Sequence, residues 1–396
     1  MPYAFSPDDV AFLASAEGEK AIAACDGLAL TDASWLSDVT TARRVVGDRY
    51  AAVLETVLLR RKAVSKLDGS GSWLLTADAL QQASASPVAR HRAERLAGRD
   101  VHDVTCSIGA DLVALAGTAA RCVGSDLDPA RLAMARHNVT AAGVAPALVR
   151  ADALAPVTRG AVVVADPARR DSSGRRAWKP GDFVPPLDEV ASVYAGRDLV
   201  VKCAPGLDPS VVPWAREVEL VSLDGQVRES CLWSEGLATT RRRATVLRSD
   251  EAGTGVMRWT ITDDEPDDIG VGEPGEWIVD PDGAVVRAGL VRHYGARHGL
   301  WQLDERIAYL TGDEPPPGVR AFRVLEFGRY SEKELAAMLR RHDVGRVEIL
   351  VRGLDVDPNT LRRRLKPSGA GEASVVLTRI GRRPTALLCR AERVPA

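Results

Sequence analysis

The stretch VHDVTCSIGADLVALAGTAARCVGSDLDP, residues 101–129, decides the fold of this 396-residue chain. It predicts four elements in turn: a buried strand (101–104), a turn of small residues (105–110), a helix (111–120) and a second strand (121–125). The helix would direct its free N–H groups toward a ligand at the turn. Asp126 follows the second strand, 17 residues after Gly109. An ionised carboxylate at that position can accept hydrogen bonds from both hydroxyls of a ribose.

This order of strand, glycine turn, helix, strand and acid is typical of the Rossmann-like sheets that bind adenosine cofactors. The dinucleotide pattern G-x-G-x-x-G is absent, because Ser107 replaces its first glycine and no glycine lies three residues after Gly109. A pyrophosphate loop of the nicotinamide type is therefore excluded. The alternative interpretation is plain packing of a helix on a strand, with an incidental acid after the second strand.

The motifs resemble those of class I S-adenosylmethionine (SAM)-dependent methyltransferases. DVTCSIGAD (103–111) is similar to the first motif of the RNA-modifying branch, and GSDLDPARLAMARHN (124–138) to the second motif and its helix. SASPVARHRAERL (84–96) resembles the segment before the first motif in cap-trimethylguanosine synthase-like enzymes. The resemblance implies SAM as cofactor. The cofactor-binding residues that we expect are Asp103, Cys106, Ser107, Gly109, Asp111, Asp126, Leu127 and Asp152.

The expected cofactor-binding positions include small residues of the turn, a second acid after a strand and a cysteine. Ser107 and Ala110 stand where the family commonly has glycine, but both are small enough to let a cofactor approach the backbone. At Gly109 we expect the cofactor to pass close to the Cα atom. Asp152 follows a predicted strand at 147–150, where the family's third motif accepts a hydrogen bond from the adenine amino group; an exposed turn residue is the alternative. We interpret Cys106 as a packing residue.

The reaction is expected after the apolar run AVVVA (161–165), which predicts a central parallel strand buried on both faces. Ligands of open α/β sheets bind beyond the carboxyl ends of the strands. In the resembled amino methyltransferases, a (D/N)-P-P-(Y/F/W) motif here holds the substrate amino group and stacks on its base. Asp166 and Pro167 keep the two acceptors and are the expected catalytic residues. Ala168 and Arg169 replace the second proline and the aromatic residue.

Base stacking must then come from elsewhere, and Trp178 is the nearest candidate. Arg169 and Arg170 begin a basic loop that is expected to contact a substrate phosphate, although a solvated loop is the alternative. Methyl transfer depends mainly on alignment of the nucleophile with the methyl group and the sulfur. No histidine is therefore assigned as a base.

Composition excludes other classes of protein. Hydrophobic residues make up 45% of the chain, as in a globular protein, but no apolar run approaches the roughly 20 residues of a membrane span. The N-terminus lacks a secretory pattern. The six cysteines show no C-x-x-C spacing, which argues against zinc and against a disulfide framework. We therefore expect a cytoplasmic protein with no metal and no membrane partner.

The charge is distributed unevenly along the chain. Residues 317–396 carry 17 Lys and Arg against 9 Asp and Glu, a net charge of +8, whereas residues 249–316 carry 5 against 15, a net charge of −10. A basic module predicts a polyanionic partner such as RNA, with Arg362 and Arg363 as expected contacts. Docking of the basic segment on the acidic one is the alternative.

The basic segment has its own signature. It predicts the element order βαβαββ in about 75 residues, with a helix capped by Ser331 and a hairpin turned at 381–383. RGLDVDPNTLRRRLK (352–366) and VVLTRIGRRPTALLCR (375–390) resemble the THUMP-like C-terminal domain of some bacterial methyltransferases. The resemblance implies RNA binding.

Together these patterns predict an α/β protein in four parts: an N-terminal helical region (1–96), a Rossmann-like seven-stranded methyltransferase domain (97–248), a small acidic α/β domain of ferredoxin-like type (249–316) and a basic THUMP-like domain (317–396). The predicted function is transfer of a methyl group from SAM to a base nitrogen of RNA, either rRNA or tRNA. A non-catalytic SAM- or RNA-binding protein and a small-molecule methyltransferase are the alternatives. The sequence leaves the oligomeric state open.

Overall fold

The computed structural model describes residues 3–168, 180–207, 209–250 and 255–394. The chain forms two compact units. The first comprises Met1–Thr239 with Leu247–Met257, and the second comprises Thr240–Val246 with Arg258–Ala396. None of the helices in the described ranges is long and apolar enough to cross a membrane.

The N-terminal region is helical, as the sequence predicts. Its helices are α1 (Pro7–Leu13), α2 (Ala16–Cys25), α3 (Trp35–Val46), α4 (Tyr50–Ala63), α5 (Ala77–Gln82) and α6 (Ser86–Arg95). Ser6 begins α1 with a capping box, in which its side chain accepts from the N–H of Asp9 while Asp9 accepts from the N–H of Ser6. The apolar faces of these helices share a core with Ile108 and Met134. The helical region is thus packed onto the sheet domain.

A nine-stranded sheet contains the strands of the first unit. Its spatial order is β3 (Ala147–Arg150), β2 (Arg121–Asp126), β1 (Asp100–Asp103), β4 (Val162–Ala165), β5 (Leu199–Cys203), β7 (Gln226–Trp233), β6 (Glu217–Leu223), β8 (Arg242–Ser249) and β9 (Val256–Thr262). The strands from β3 to β5 are parallel, and β7 pairs antiparallel with β5. The order 3-2-1-4-5-7-6 confirms the predicted seven-stranded Rossmann-like sheet, which β8 and β9 extend.

The helices of this domain are α7 (Ala110–Thr118), α8 (Pro129–Ala141) and α9 (Leu187–Val193). All four residues of β4 are buried, as the run AVVVA predicts for a central strand. Parallel strands end at the same edge of a sheet. Asp126, Asp152 and Asp166 each follow or end one of these strands, so all three lie at that edge.

The second unit contains a seven-stranded sheet. Its spatial order is β11 (Trp301–Gln302), β12 (Leu310–Gly312), β10 (Trp277–Val279), β13 (Arg320–Arg329), β16 (Arg383–Arg393), β15 (Gly371–Ile380) and β14 (Val344–Val351). The helices are α10 (Gly283–Arg287), α11 (Val291–Arg297), α12 (Glu332–Arg341) and α13 (Pro358–Leu365). The chain order β13-α12-β14-α13-β15-β16 is the βαβαββ order expected for the basic segment.

The segments 249–316 and 317–396, which the sequence predicts as separate domains, contribute strands to one sheet. The sequence predicts a separate ferredoxin-like domain for 249–316, but its strand β10 pairs with β13, and Ile278 lies opposite Phe322. Both side chains are buried in one core with Tyr309 and Leu387. Ile278 of β10 is buried in the core that the two segments share, so the predicted boundary at 316 falls between two strands of one sheet. The division into four parts remains a prediction.

Candidate active site

A cavity of about 470 Å³ opens at the carboxyl ends of the parallel strands. We call it the turn cavity, because the small-residue turn after β1 forms much of its wall. Most of the predicted cofactor-binding residues line it: Asp103, Cys106, Ser107, Asp111, Asp126, Leu127 and Asp152. Segments that are far apart in sequence thus meet at one ligand-sized space.

The turn adopts an unusual backbone at the position where related motifs have glycine. Ser107 has a φ of 49°, in the left-handed region that glycine occupies without strain. Its N–H donates to Asp126 Oδ2 at 3.0 Å, and the N–H of Asp128 donates to Asp126 Oδ1 at 2.8 Å. These bonds fix the Asp126 carboxylate, which has about four acceptor positions in all. Lone pairs therefore remain for a ligand.

Gly109 has a structural constraint that the sequence did not predict. Its φ is 80°, and a Cβ atom there would lie 3.2 Å from Ala135 Cβ and 3.3 Å from Ala135 Cα. Gly109 is not among the described residues that line the turn cavity. Close packing against α8 and a left-handed turn therefore give a structural reason for glycine here, and the cofactor contact expected at Gly109 stays a prediction.

Asp111 shows how the turn cavity suits a cationic ligand. Its Oδ2 atom accepts from Arg92 Nη2 at 2.8 Å and lies 3.8 Å from Lys202 Nζ. Burial raises the pKa of Asp111, but Arg92 and Lys202 outweigh burial and hold it below its ordinary value. The Oδ1 atom is buried and has no hydrogen-bond partner among the described residues. An ammonium group in the cavity would satisfy this oxygen, and SAM carries one.

Two other residues of the turn are buried. Asp103 Oδ1 accepts from the N–H of Thr105 at 3.0 Å, and burial together with the charge of Asp111 raises the pKa of Asp103 to about 7. Its carboxyl group therefore changes charge near neutral pH. Burial raises the pKa of the Cys106 thiol well above its ordinary value. The thiol is neutral, which fits the packing role predicted for it.

Asp166 forms an ion pair that sequence reasoning missed. It lies just beyond β4, and Lys202 lies on the adjacent parallel strand β5. The two side chains form an ion pair, and Lys202 Nζ also donates to the carbonyl of Gln82 at 3.3 Å. Burial lowers the pKa of Lys202, but Asp166 and Asp111 outweigh burial and raise it. Lys202 is therefore charged at neutral pH and holds Asp166 in place.

A second cavity, of about 870 Å³, adjoins this pair. We call it the helix-side cavity, because residues that follow α4 and residues of α5 and α6 contribute to its wall. Four residues line both cavities: Gln82, Ala83, Asp166 and Lys202. Pro167 lines the helix-side cavity. The Asp166–Lys202 pair thus lies where the two spaces meet.

No described residue that lines either cavity is aromatic. Base stacking, if it occurs, must come from another part of the chain. The predicted substrate contacts Arg169, Arg170 and Trp178 lie outside the described residues. Their assignments stay predictions.

A buried charge network joins the helical region to the sheet. Arg92 on α6 forms an ion pair with Glu229 on β7, and its Nη2 atom donates to Ser84 Oγ at 3.1 Å. Ser84 Oγ donates in turn to Glu229 Oε2 at 2.6 Å. Sequence reasoning missed this network because its members lie up to 145 residues apart. The involvement of Lys202 could have been predicted, since this lysine lies near the end of an apolar strand beside the predicted catalytic strand.

The predicted RNA contacts lie on α13 of the second unit, and both are exposed. Arg362 Nε donates to the carbonyl of Val347 at 3.0 Å, and Arg363 Nη2 donates to Thr360 Oγ1 at 3.0 Å. Neither forms an ion pair with a carboxylate among the described residues, whereas Arg364 pairs with Glu332 at 3.0 Å. Arg362 and Arg363 therefore keep charge that a polyanion could neutralise.

Comparison with known proteins agrees with this geometry. Over 362 residues the chain is 56% identical to an S-adenosylmethionine-dependent methyltransferase of Mycobacterium tuberculosis H37Rv, and the match covers 88% of this chain and 99% of the relative. The counterpart in strain CDC 1551 matches equally. The chain belongs to the S-adenosylmethionine-dependent methyltransferases. SAM is the cofactor of this methyltransferase, as the sequence predicts.

Three further similarities concern the fold of the methyltransferase and the families that parts of its chain match. A crystal structure of a Porphyromonas gingivalis W83 protein named as a methyltransferase superposes with a TM-score of 0.72 at 20% identity, over 98% of this chain and 97% of the other. At that identity, the likeness shows a shared fold alone. Residues 319–391 match the THUMP domain-like family, which confirms the predicted resemblance of the basic segment to a THUMP-like domain. Residues 6–63 match a family described as a domain of unknown function.

Proposed function

We propose that this methyltransferase transfers the methyl group of SAM to a nitrogen atom of a base in RNA, either rRNA or tRNA. The observation that carries the proposal is the position of the Asp166–Lys202 pair where the turn cavity meets the helix-side cavity. SAM in the turn cavity and a base in the helix-side cavity would then meet at Asp166.

In this proposal, residues of the turn cavity hold SAM. Asp126 would accept from the two ribose hydroxyls, and the unpaired Oδ1 of Asp111 would accept from the ammonium group of the methionine part. Asp152 accepts from the N–H of Leu154 at 2.9 Å through Oδ1, and its other oxygen has no hydrogen-bond donor among the residues that the structure describes. Its other oxygen can accept from the adenine amino group. When bound, SAM supplies an electrophilic methyl group.

Asp166 would orient the substrate. Lys202 pairs with its Oδ2 atom, so the other carboxylate oxygen can accept a hydrogen bond from the N–H of a base amino group. The carbonyl of Pro167 offers a second acceptor in the same cavity. Two acceptors on one amino group fix the direction of its lone pair, which is the main requirement for in-line transfer. The Asp166 carboxylate can then take up the proton that the methylated nitrogen loses.

The second unit supports RNA as the substrate. Residues 319–391 match a THUMP domain-like family, and residues 317–396 carry a net charge of +8. Basic residues that neutralise phosphates supply most of the affinity for nucleic acid. Exposed Arg362 and Arg363 on α13 are placed for such contacts.

The size of the helix-side cavity favours a second candidate. Its volume of about 870 Å³ lies within the range of roughly 300–1,000 Å³ that is typical of small-ligand sites. A small-molecule methyltransferase, with a substrate that fills this cavity alone, is therefore the second candidate function.

The test is a transfer assay with methyl-labelled SAM, the full-length protein and total RNA from a strain that lacks the gene. We expect label in a single base-methylated nucleoside after digestion of the RNA. Asp166→Asn should abolish the label, whereas the control Asp188→Asn, an exposed residue on α9, should not. If RNA stays unlabelled while a protein-free extract of small metabolites is labelled, the RNA proposal is wrong and the second candidate replaces it.

A further inference from the structure

The hairpin of β6 and β7 contains an irregularity beside the helix-side cavity. Val221 pairs with Glu229, but the next residue, Ser222, pairs with Val227. Arg228 is therefore the extra residue of a β-bulge. Bulges are common next to active sites, where they redirect a side chain.

The bulge has a consequence for the cavity. Successive residues of a regular strand point to opposite faces of the sheet. Arg228 and Glu229 are consecutive, yet both line the helix-side cavity. The irregular register accounts for this, because the extra residue breaks the alternation. The bulge thus brings the guanidinium group of Arg228 to the cavity wall, whereas in a regular strand it would point to the opposite face.

Arg228 differs from the neighbouring cations of this wall in its side-chain contacts. Arg228 is exposed, and its side chain makes no hydrogen bond or ion pair with any residue in the part of the chain that the structure describes. The other cations of the same wall are engaged: Arg90 pairs with Asp68, and Lys202 pairs with Asp166. Arg228 therefore stands apart as a cation available to a ligand.

Lys66 adds a second cation. Its Nζ atom donates to the carbonyls of Leu80 at 2.7 Å and Gln81 at 3.0 Å, which leaves one of its three donors. Burial lowers the pKa of Lys66, and the charges of Lys202 and Arg228 lower it further. Lys66 and Arg228 thus lie within electrostatic reach of each other and line the same cavity. Cations that share one space raise each other's energy, and an anion between them relieves that cost.

We propose that Arg228 and Lys66 form an anion subsite in the helix-side cavity, which binds a phosphate group of the nucleotide chain next to the methylated base. A guanidinium group can grip two phosphate oxygens at once, and an ammonium group adds a point charge. The subsite rests on the proposed function and deepens it, because a phosphate held here would add affinity for the nucleotide chain that carries the methylated base.

The first experiment needs no RNA and uses inorganic phosphate as the probe. Thermal unfolding of the full-length protein is followed in sodium phosphate and in sodium chloride of equal ionic strength. Binding to the folded state raises the unfolding midpoint with ligand concentration. We expect such a rise in the parent protein, and a dissociation constant about tenfold or more weaker in Arg228→Gln, as for loss of a charge-assisted hydrogen bond.

Three variants serve as controls. Arg44→Gln removes an exposed arginine of α3 that lines neither cavity, and it should respond like the parent. Arg228→Lys keeps the charge and should bind phosphate with intermediate affinity. Lys66→Met should weaken phosphate binding as well, and it tests the subsite independently of Arg228. Equal phosphate responses in the parent, Arg228→Gln and Lys66→Met, or no specific response in the parent, would overturn the subsite.

A second experiment separates this inference from the proposed function. In the labelled-RNA assay, Arg228→Gln should raise the KM for RNA about tenfold while kcat changes little, since a phosphate contact acts on binding. If the phosphate response depends on Arg228 but RNA accepts no label, the subsite stands and RNA is the wrong substrate. If RNA is labelled with the same KM in the parent and in Arg228→Gln, the subsite is wrong and the proposed function stands.

Discussion

The turn cavity and the helix-side cavity share the Asp166–Lys202 pair but differ in charge. Among the described residues, the turn cavity is lined by six carboxylates and two cations. The helix-side cavity is lined by four of each among the same residues, and the Arg228 side chain forms no ion pair with any residue that the structure describes. An acidic cavity favours SAM, whose sulfonium and ammonium groups outnumber its carboxylate. A cavity with a free guanidinium favours an anionic substrate.

The difference explains how one ion pair can serve both spaces. Both Asp166 and Lys202 line both cavities. Under the proposed function, Asp166 would be one of the carboxylates near a cationic cofactor, and Lys202 one of the cations near an anionic substrate. Because the two charges are paired, Asp166 repels an anionic substrate less at a distance, and Lys202 repels a cationic cofactor less. Under the proposed function, the methyl group would cross from the acidic cavity to the substrate beside the same carboxylate.

The largest effect is expected where the two cavities meet. Asp166→Asn should cut kcat by 100-fold or more, about 3 kcal/mol, because orientation of the nucleophile is a transition-state effect. Its SAM dissociation constant should stay within about threefold of the parent value, since Asp126 and Asp111 remain. Steady-state kinetics and calorimetry measure the two quantities separately. Normal turnover by the folded variant would exclude Asp166 from the reaction.

The next effect concerns the turn cavity alone. Asp126→Ala should weaken SAM binding by 30- to 1000-fold, about 2–4 kcal/mol, because two charge-assisted hydrogen bonds to the ribose are lost. Asp100→Ala is the matched control, since that carboxylate pairs with Arg121 outside the cavity. Calorimetry with SAM gives both constants. Parent-like affinity in folded Asp126→Ala would remove the ribose assignment.

The acidity of the turn cavity should also appear as a pH dependence. Burial and Asp111 raise the pKa of Asp103 to about 7, so its carboxyl group is neutral below that pH and ionised above it. A cationic ligand binds the ionised form more tightly. SAM affinity should therefore rise by a few-fold to about tenfold between about pH 6 and pH 8.

Asp103→Asn gives the check on that assignment. The amide keeps an acceptor for the N–H of Thr105 but cannot ionise. We expect SAM affinity to become nearly independent of pH in this variant. A pH profile that is identical in the parent and in Asp103→Asn would show that another group titrates.

The smallest effect concerns the second unit. Arg362→Gln combined with Arg363→Gln should weaken RNA binding a few-fold at moderate salt and reduce the salt slope by about 1.4, from roughly 0.7 per phosphate contact on single strands. SAM binding should not change. Arg364→Gln is the control, because Arg364 already pairs with Glu332. An unchanged slope in the double variant would mean that α13 does not contact RNA.

The turn cavity could be predicted from the sequence because short local segments build it. Residues 103–111 contain the turn, and the positions of Asp126, Asp152 and Asp166 follow from strands that end at one edge. The role of Gly109 could not be predicted, since its constraint comes from Ala135 on another helix. The shared sheet of 249–316 and 317–396 was missed for a similar reason. A segment with short strands gives no local sign of the partner that covers it.

The helix-side cavity could not be predicted, because register and long-range pairing create it. The place of Arg228 depends on a bulge in the hairpin, and that bulge is invisible in a pattern of residue types. The network of Arg92, Ser84 and Glu229 joins elements that are distant in the chain. Lys202 is the exception, since a lysine near the end of an apolar strand next to the catalytic strand is a signal that sequence reasoning can use.

The most direct test of the central claim is mass spectrometry of nucleosides from cellular RNA. A strain that lacks the gene is compared with its parent, and with the same strain that expresses either the full-length protein or Asp166→Asn at equal levels. Our account predicts that one base-methylated nucleoside disappears on deletion, returns with the full-length protein and stays absent with Asp166→Asn. Identical nucleoside profiles in all four strains would contradict methylation of RNA at the Asp166–Lys202 pair.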